Sequence, residues 1–159
     1  MSVAFTKEGD SEAFAADLPD RPISPHPNFV TREGLAALEQ ALAAARAAYT
    51  AAQAAGDIGA DRTAMARATR DLRYYGARRG SAQLVDPANN DGVIRFGSRV
   101  QLEAEDGAPL AYRIVGEDEA DPANGLVAYV APMARALIGR EVGDTVTVAG
   151  RALTIVGVD

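Results

Sequence analysis

The apolar positions of this chain follow two different periods, one in each half. In the first half Leu35, Leu38, Leu42, Ala45 and Tyr49 recur at alternating spacings of three and four residues, the spacing of a helix-helix seam. Thr31 is placed to cap the start of this helix, and Glu33 lies where the helix dipole favours an acid. Alanine fills most of the remainder to Ala55. Gly56 breaks the run and Asp57-Ile58-Gly59 turns the chain. A second helical pattern begins near Ala60, with Met65, Ala68, Leu72 and Tyr75 on one face. At about 100° per residue, Arg62, Arg67, Arg70, Arg73 and Arg78 fall on the opposite side. Two helices joined by so short a turn are expected to lie antiparallel, as a hairpin. Gly76 and Gly80 each cost about 1 kcal/mol inside a helix, so the second helix is expected to fray or end between them.

In the second half the period drops to two. Val100, Leu102 and Ala104 alternate with Gln101, Glu103 and Glu105, the mark of a half-buried strand. Asp106-Gly107 turns the chain into a second strand, Leu110 to Val115. An acidic bend follows, Glu117-Asp118-Glu119 with Asp121-Pro122, and then Asn124-Gly125, a dipeptide suited to left-handed backbone angles. Leu126 to Val130 resumes as a strand. Pro132 opens a short helix filled by Met133, Ala134, Ala136, Leu137 and Ile138, and Gly139 closes it. The last strands are Thr145 to Val148 and Leu153 to Val158, turning at Ala149-Gly150-Arg151. The expected class is α+β: a tail over 1–30, a helical hairpin over 31–84 and a small antiparallel-rich sheet domain with one short helix over 85–159. Pro87 to Gly92 forms a turn-rich linker ahead of the strands.

Four prolines, Pro19, Pro22, Pro25 and Pro27, make Leu18 to Asn28 an extended segment. The sole histidine, His26, lies between two of them and has no nearby residues with which to form a metal or base site. Cysteine is absent, which excludes a disulfide framework and a thiolate metal site. No run approaches the roughly 18 apolar residues of a membrane span, and residues 1–14 lack the apolar core of a secretory signal. A cytoplasmic setting is the expectation.

The net charge of −6 is unevenly distributed. Residues 61–79 carry six arginines against Asp61 and Asp71, whereas residues 86–159 carry twelve acids against six arginines. A basic strip on an acidic protein argues against general DNA coating and for a local contact with phosphate or an acidic protein surface.

Several words of the chain resemble the Gre family of bacterial transcription elongation factors. They are YRIVG at 112–116, DEADP at 118–122 and ARALIGREVGD at 134–144, with Ala131-Pro132 where the family typically reads Ser-Pro. A looser match covers Thr31 to Leu35, Gly56-Asp57 at the hairpin tip, Leu72-Arg73-Tyr74 and Ala82 to Asp86. The resemblance implies an FKBP-like fold for the C-terminal domain and RNA polymerase as the partner. It also implies a hairpin, here shortened as in the Rnk-like variants, that enters the polymerase's secondary channel. Docking on polymerase would fall to Asp118, Glu119, Asp121, Pro132 and Arg135, and the arginine face to polymerase or transcript RNA. In the family, acids at the tip help hold the polymerase's own catalytic magnesium, so that the polymerase cuts its backtracked transcript. The family motif is Gly-Asp, one residue, Ser, Glu, Asn. Here Asp57 matches the first acid, Ala60 occupies the second position, and Asp61 comes one residue late.

The expectation is therefore a monomeric, polymerase-binding regulator with no enzymatic activity and no metal or cofactor of its own. Asp57 and Asp61 are its candidate tip acids, and stimulation of cleavage is doubtful because the acid set is incomplete. Two other classes stay open. One is a peptidyl-prolyl isomerase, for which only Phe96, Tyr112 and Tyr129 offer aromatic walls. The other is a polymerase-independent interaction protein that uses the hairpin as a seam.

Overall fold

A computed structural model describes residues 18–55, 62–86 and 91–159. The elements in order are β1 (Phe29–Val30), α1 (Arg32–Ala54), α2 (Arg62–Ser81), β2 (Gln83–Leu84), β3 (Arg99–Ala104), β4 (Pro109–Val115), β5 (Leu126–Ala128), α3 (Pro132–Leu137), β6 (Thr145–Val148) and β7 (Arg151–Val158). Two 3-10 turns, Glu117–Glu119 and Pro122–Asn124, lie between β4 and β5. The chain divides into two compact units. Of the described residues, one comprises 18–26, 37–55 and 62–81, and the other 27–36, 82–86 and 91–159.

The helical unit contains most of α1 and all of α2. Leu38, Leu42 and Ala45 are buried on α1 and Ala68 on α2, with Tyr49, Met65, Leu72 and Tyr75 half-buried along the same stripes. Glu39, early in α1, pairs with Arg79, late in α2, at 3.0 Å, as an antiparallel hairpin requires. The expected break between Gly76 and Gly80 does not occur, since α2 runs unbroken to Ser81. Arg78 is buried and Arg79 paired on the very turns that carry the glycines. Tertiary anchoring of this kind overrides a propensity cost of about 1 kcal/mol per glycine.

The second unit is built on a five-stranded sheet of order β5-β4-β3-β7-β6. Along β3, burial alternates strictly, with Val100, Leu102 and Ala104 inside. These residues join Ile114, Leu153, Ile155, Val146 and Val127 in one core, which Ala134 and Leu137 of α3 and Ile94 complete. The β3/β4 turn is held by Asp106, whose carboxylate accepts the Ala108 N–H at 3.0 Å. Ala149 and Gly150 take φ of 51° and 77° between β6 and β7, the paired left-handed angles of a two-residue hairpin turn. The sheet is antiparallel except at one edge, where β5 runs parallel to β4. The acidic loop supplies the length for that crossover. A separate parallel pair, β1 with β2, was not expected from the sequence; Val30 stands opposite Leu84.

Candidate functional site

The residues expected to dock on a partner sit around β5. Because β4 and β5 are parallel and Val115 stands opposite Ala128, the segments that follow these two residues leave the sheet at the same end. The Tyr129 N–H donates to the Val115 carbonyl at 2.9 Å and ties them there. This brings Asp118 and Glu119 to the side of the sheet where Pro132 and Arg135 begin α3. Asp118, Pro132 and Arg135 are exposed. Asp121 lies apart from them, at the other end of β5. It exchanges both backbone hydrogen bonds with Leu126 and accepts from the Asn124 amide at 2.6 Å, which makes it a loop-closing residue.

Glu119 is engaged within its own unit. The Thr31 hydroxyl donates to its carboxylate at 2.6 Å, while Thr31 Oγ1 accepts the Gly34 N–H at 3.0 Å. Thr31 thus caps α1 as its sequence position implied and also fixes the acidic turn. Two ion pairs lie next to it. Arg32 forms a fork with Asp86 at 2.8 and 3.0 Å, and Arg113 reaches Glu33 at 3.2 Å. Glu33 is held below the usual carboxylate range first by its own backbone N–H and then by Arg113. Asp86 is lowered by Arg32. Neither pair was legible in the sequence, because the partners are 80 and 54 residues apart.

Phe96 and Tyr129, proposed as isomerase walls, face each other at 5.7 Å between ring centroids. Phe29 stands against both, at 6.0 and 5.3 Å. The three rings pack on one another, and Tyr112 packs on the core.

The arginine face of α2 separates into three parts. Arg62, Arg70 and Arg73 line a shallow depression with Thr69, Leu18 and Asp20. Arg67 is exposed. Arg78 is 2% exposed, so it is no surface contact and that expectation is corrected: at 100° per residue it lies at the margin of the apolar stripe, where packing covers it. Arg73 meets Asp20 of the proline-rich segment at 3.1 Å. The Arg21 guanidinium lies 3.8 Å from the Tyr74 ring centroid and 3.5 Å from Asp71. The segment therefore lies along α2, a contact that sequence reasoning missed.

Asp57 and Asp61, the candidate tip acids, lie outside the described residues. Among the described residues, no cluster of three or more histidines and carboxylates is arranged to hold a metal ion, and no helix is long and apolar enough to cross a membrane.

Residues 89–158 match the family model described as "Transcription elongation factor, GreA/GreB, C-term". Over 71 residues the chain is 55% identical to a transcription elongation factor GreA of Alkalilimnicola ehrlichii, covering 43% of this chain and 45% of the relative. Over 136 residues it is 33% identical to a transcription elongation factor GreB of Yersinia pestis, covering 76% of this chain and 80% of the relative. The chain belongs to the GreA/GreB family.

The GreB alignment is too long to fit within the C-terminal domain, so it extends into the helices. The chain spans about half the length of the GreA relatives it matches. Among solved structures, the GreA factor homolog 1 protein of Thermus thermophilus is similar at 21% identity and a TM-score of 0.41, covering 84% of this chain and 99% of that one. In GreA/GreB terms, the family match takes in all five strands of the sheet, α3, Asp118, Pro132 and Arg135.

Proposed function

We propose that this protein is an RNA polymerase-binding regulator of transcription elongation. It docks through the C-terminal domain, with Asp118, Pro132 and Arg135 on the contact surface, and places the helical hairpin at or in the polymerase's secondary channel. The observation that carries this reading is the 136-residue similarity to a factor named GreB, which spans both the helices and the sheet domain. Exposure of Asp118, Pro132 and Arg135 supports the docking assignment. Arg62, Arg67, Arg70 and Arg73 contact polymerase or transcript RNA. The protein acts as a monomer and has no catalytic activity of its own. The one metal ion in this scheme is the polymerase's magnesium, for which Asp57 and Asp61 are the candidate acids, an incomplete set of ligands.

The test is transcript cleavage by a halted, backtracked polymerase with and without the protein, run beside a direct binding measurement. Binding with little or no acceleration of cleavage is expected. Failure to bind polymerase would remove the reading altogether. The isomerase alternative gains no support, because Phe96 and Tyr129 pack on each other and on Phe29.

A further inference from the structure

The segment that lies along α2 places an acid in the middle of a basic depression. Asp20 sits among Arg62, Arg70 and Arg73 and is bonded to Arg73 at 3.1 Å. The neighbouring residue holds the segment in place: Arg21 stacks on Tyr74, approaches Tyr75 at 5.1 Å and reaches Asp71. Asp20 and Arg73 remain largely open to water, with side chains 62% and 67% exposed. An ion pair of this kind is weak and screened by salt. The Arg21 contact is more enclosed, at 35% side-chain exposure, and a guanidinium stacked on an aromatic face is an attachment that tolerates loss of its neighbour.

These roles are distinct. Arg21 anchors the segment, and Asp20 lends a carboxylate to Arg73, which otherwise attracts phosphate. We infer that residues 18–21 partly cover the arginine depression of α2 within the chain, with Asp20 competing for Arg73 against the phosphates of a single-stranded nucleic acid. The inference rests on the reading of that face as a polyanion contact and adds its regulation. Because the Asp20–Arg73 pair is weak, an incoming phosphate chain displaces it. Because Arg21 stays attached, the cover returns when the chain leaves.

The sharpest test reverses the effect that charge counting predicts. Arg21→Ala removes a positive charge from an acidic protein, which by electrostatics alone weakens binding of a polyanion. If the segment is a cover, the same substitution releases it and strengthens binding. The full chain is titrated with a fluorescent oligouridylate at low salt and followed by anisotropy. Arg21→Ala and Asp20→Asn are each expected to tighten binding about two- to five-fold, the factor that corresponds to loss of an exposed ion pair. Asp20→Glu should stay near wild type. Arg73→Gln should weaken binding and make it insensitive to Asp20→Asn. Unchanged or weaker binding in Arg21→Ala, or no binding in either protein, overturns the cover. Wild-type affinity in Arg73→Gln instead retires the arginine face as a polyanion contact and the cover with it.

Discussion

The Thr31 hydroxyl is used twice, accepting the Gly34 N–H and donating to Glu119, in a residue only 2% exposed. Thr31→Ala removes a helix cap, leaving the buried Gly34 N–H without its acceptor and the half-buried Glu119 carboxylate without a donor. A loss of about 1–2 kcal/mol in denaturant unfolding is expected, and Thr31→Ser should recover most of it. Asp91 gives a pH signature at the same scale. Arg95 first, through two 2.7 Å contacts, and then the Val93 N–H hold its carboxyl down to about 2. A folded value below the unfolded one means that this support is complete above about pH 4. It is lost as pH falls towards about 2. Carboxyl titration by NMR should place the Asp91 midpoint near 2, and Arg95→Gln should return it to the ordinary range.

At the scale of elements, glycine has opposite roles in the two units. Nothing lies within 4 Å of a Cβ added at Gly76 or Gly80, and both sit in a continuous helix. Gly76→Ala and Gly80→Ala should each stabilise the protein by up to about 1 kcal/mol in thermal or denaturant unfolding. At Gly116 an added Cβ would run into the Phe29 carbonyl oxygen. Gly116→Ala should therefore cost about 1–3 kcal/mol by overpacking. The same division describes what the sequence made legible. The α1 seam and the alternation along β3 are local periodicities, and they appear as read. The β1/β2 pair, the parallel entry of β5 and the path of residues 18–21 along α2 depend on partners tens of residues away. Two of the expected contacts, Glu119 and Arg78, have the right chemistry, but tertiary contacts use them internally. Period alone cannot distinguish an arginine that faces water from one packed beneath its neighbours.

For the whole molecule, polymerase binding and stimulation of transcript cleavage are separable. A metal-assisting acid acts on the transition state of the reaction, whereas docking is spread over the rest of the surface. If Asp57 has that role, Asp57→Ala abolishes stimulation while leaving polymerase affinity nearly intact, and Asp61→Ala gives a partial loss. The expected outcome is the reverse, with wild-type stimulation weak or absent. One reason is chemical: Ala60 stands where the family motif has its second acid, and hard-ion sites depend on the number and placement of ligands. The other is reach. The 23 residues of α1 give an arm of about 35 Å, and each turn missing relative to a longer arm withdraws the tip by about 5 Å. Ala60→Glu alone should then restore little cleavage, because it supplies charge without reach. Lengthening both helices by matched turns together with Ala60→Glu should restore more than either change separately. Vigorous cleavage by the wild-type protein, lost in Asp57→Ala, would mean that a short arm with one matching acid suffices. The C-terminal domain would then have to seat more deeply on polymerase than a long-armed factor does.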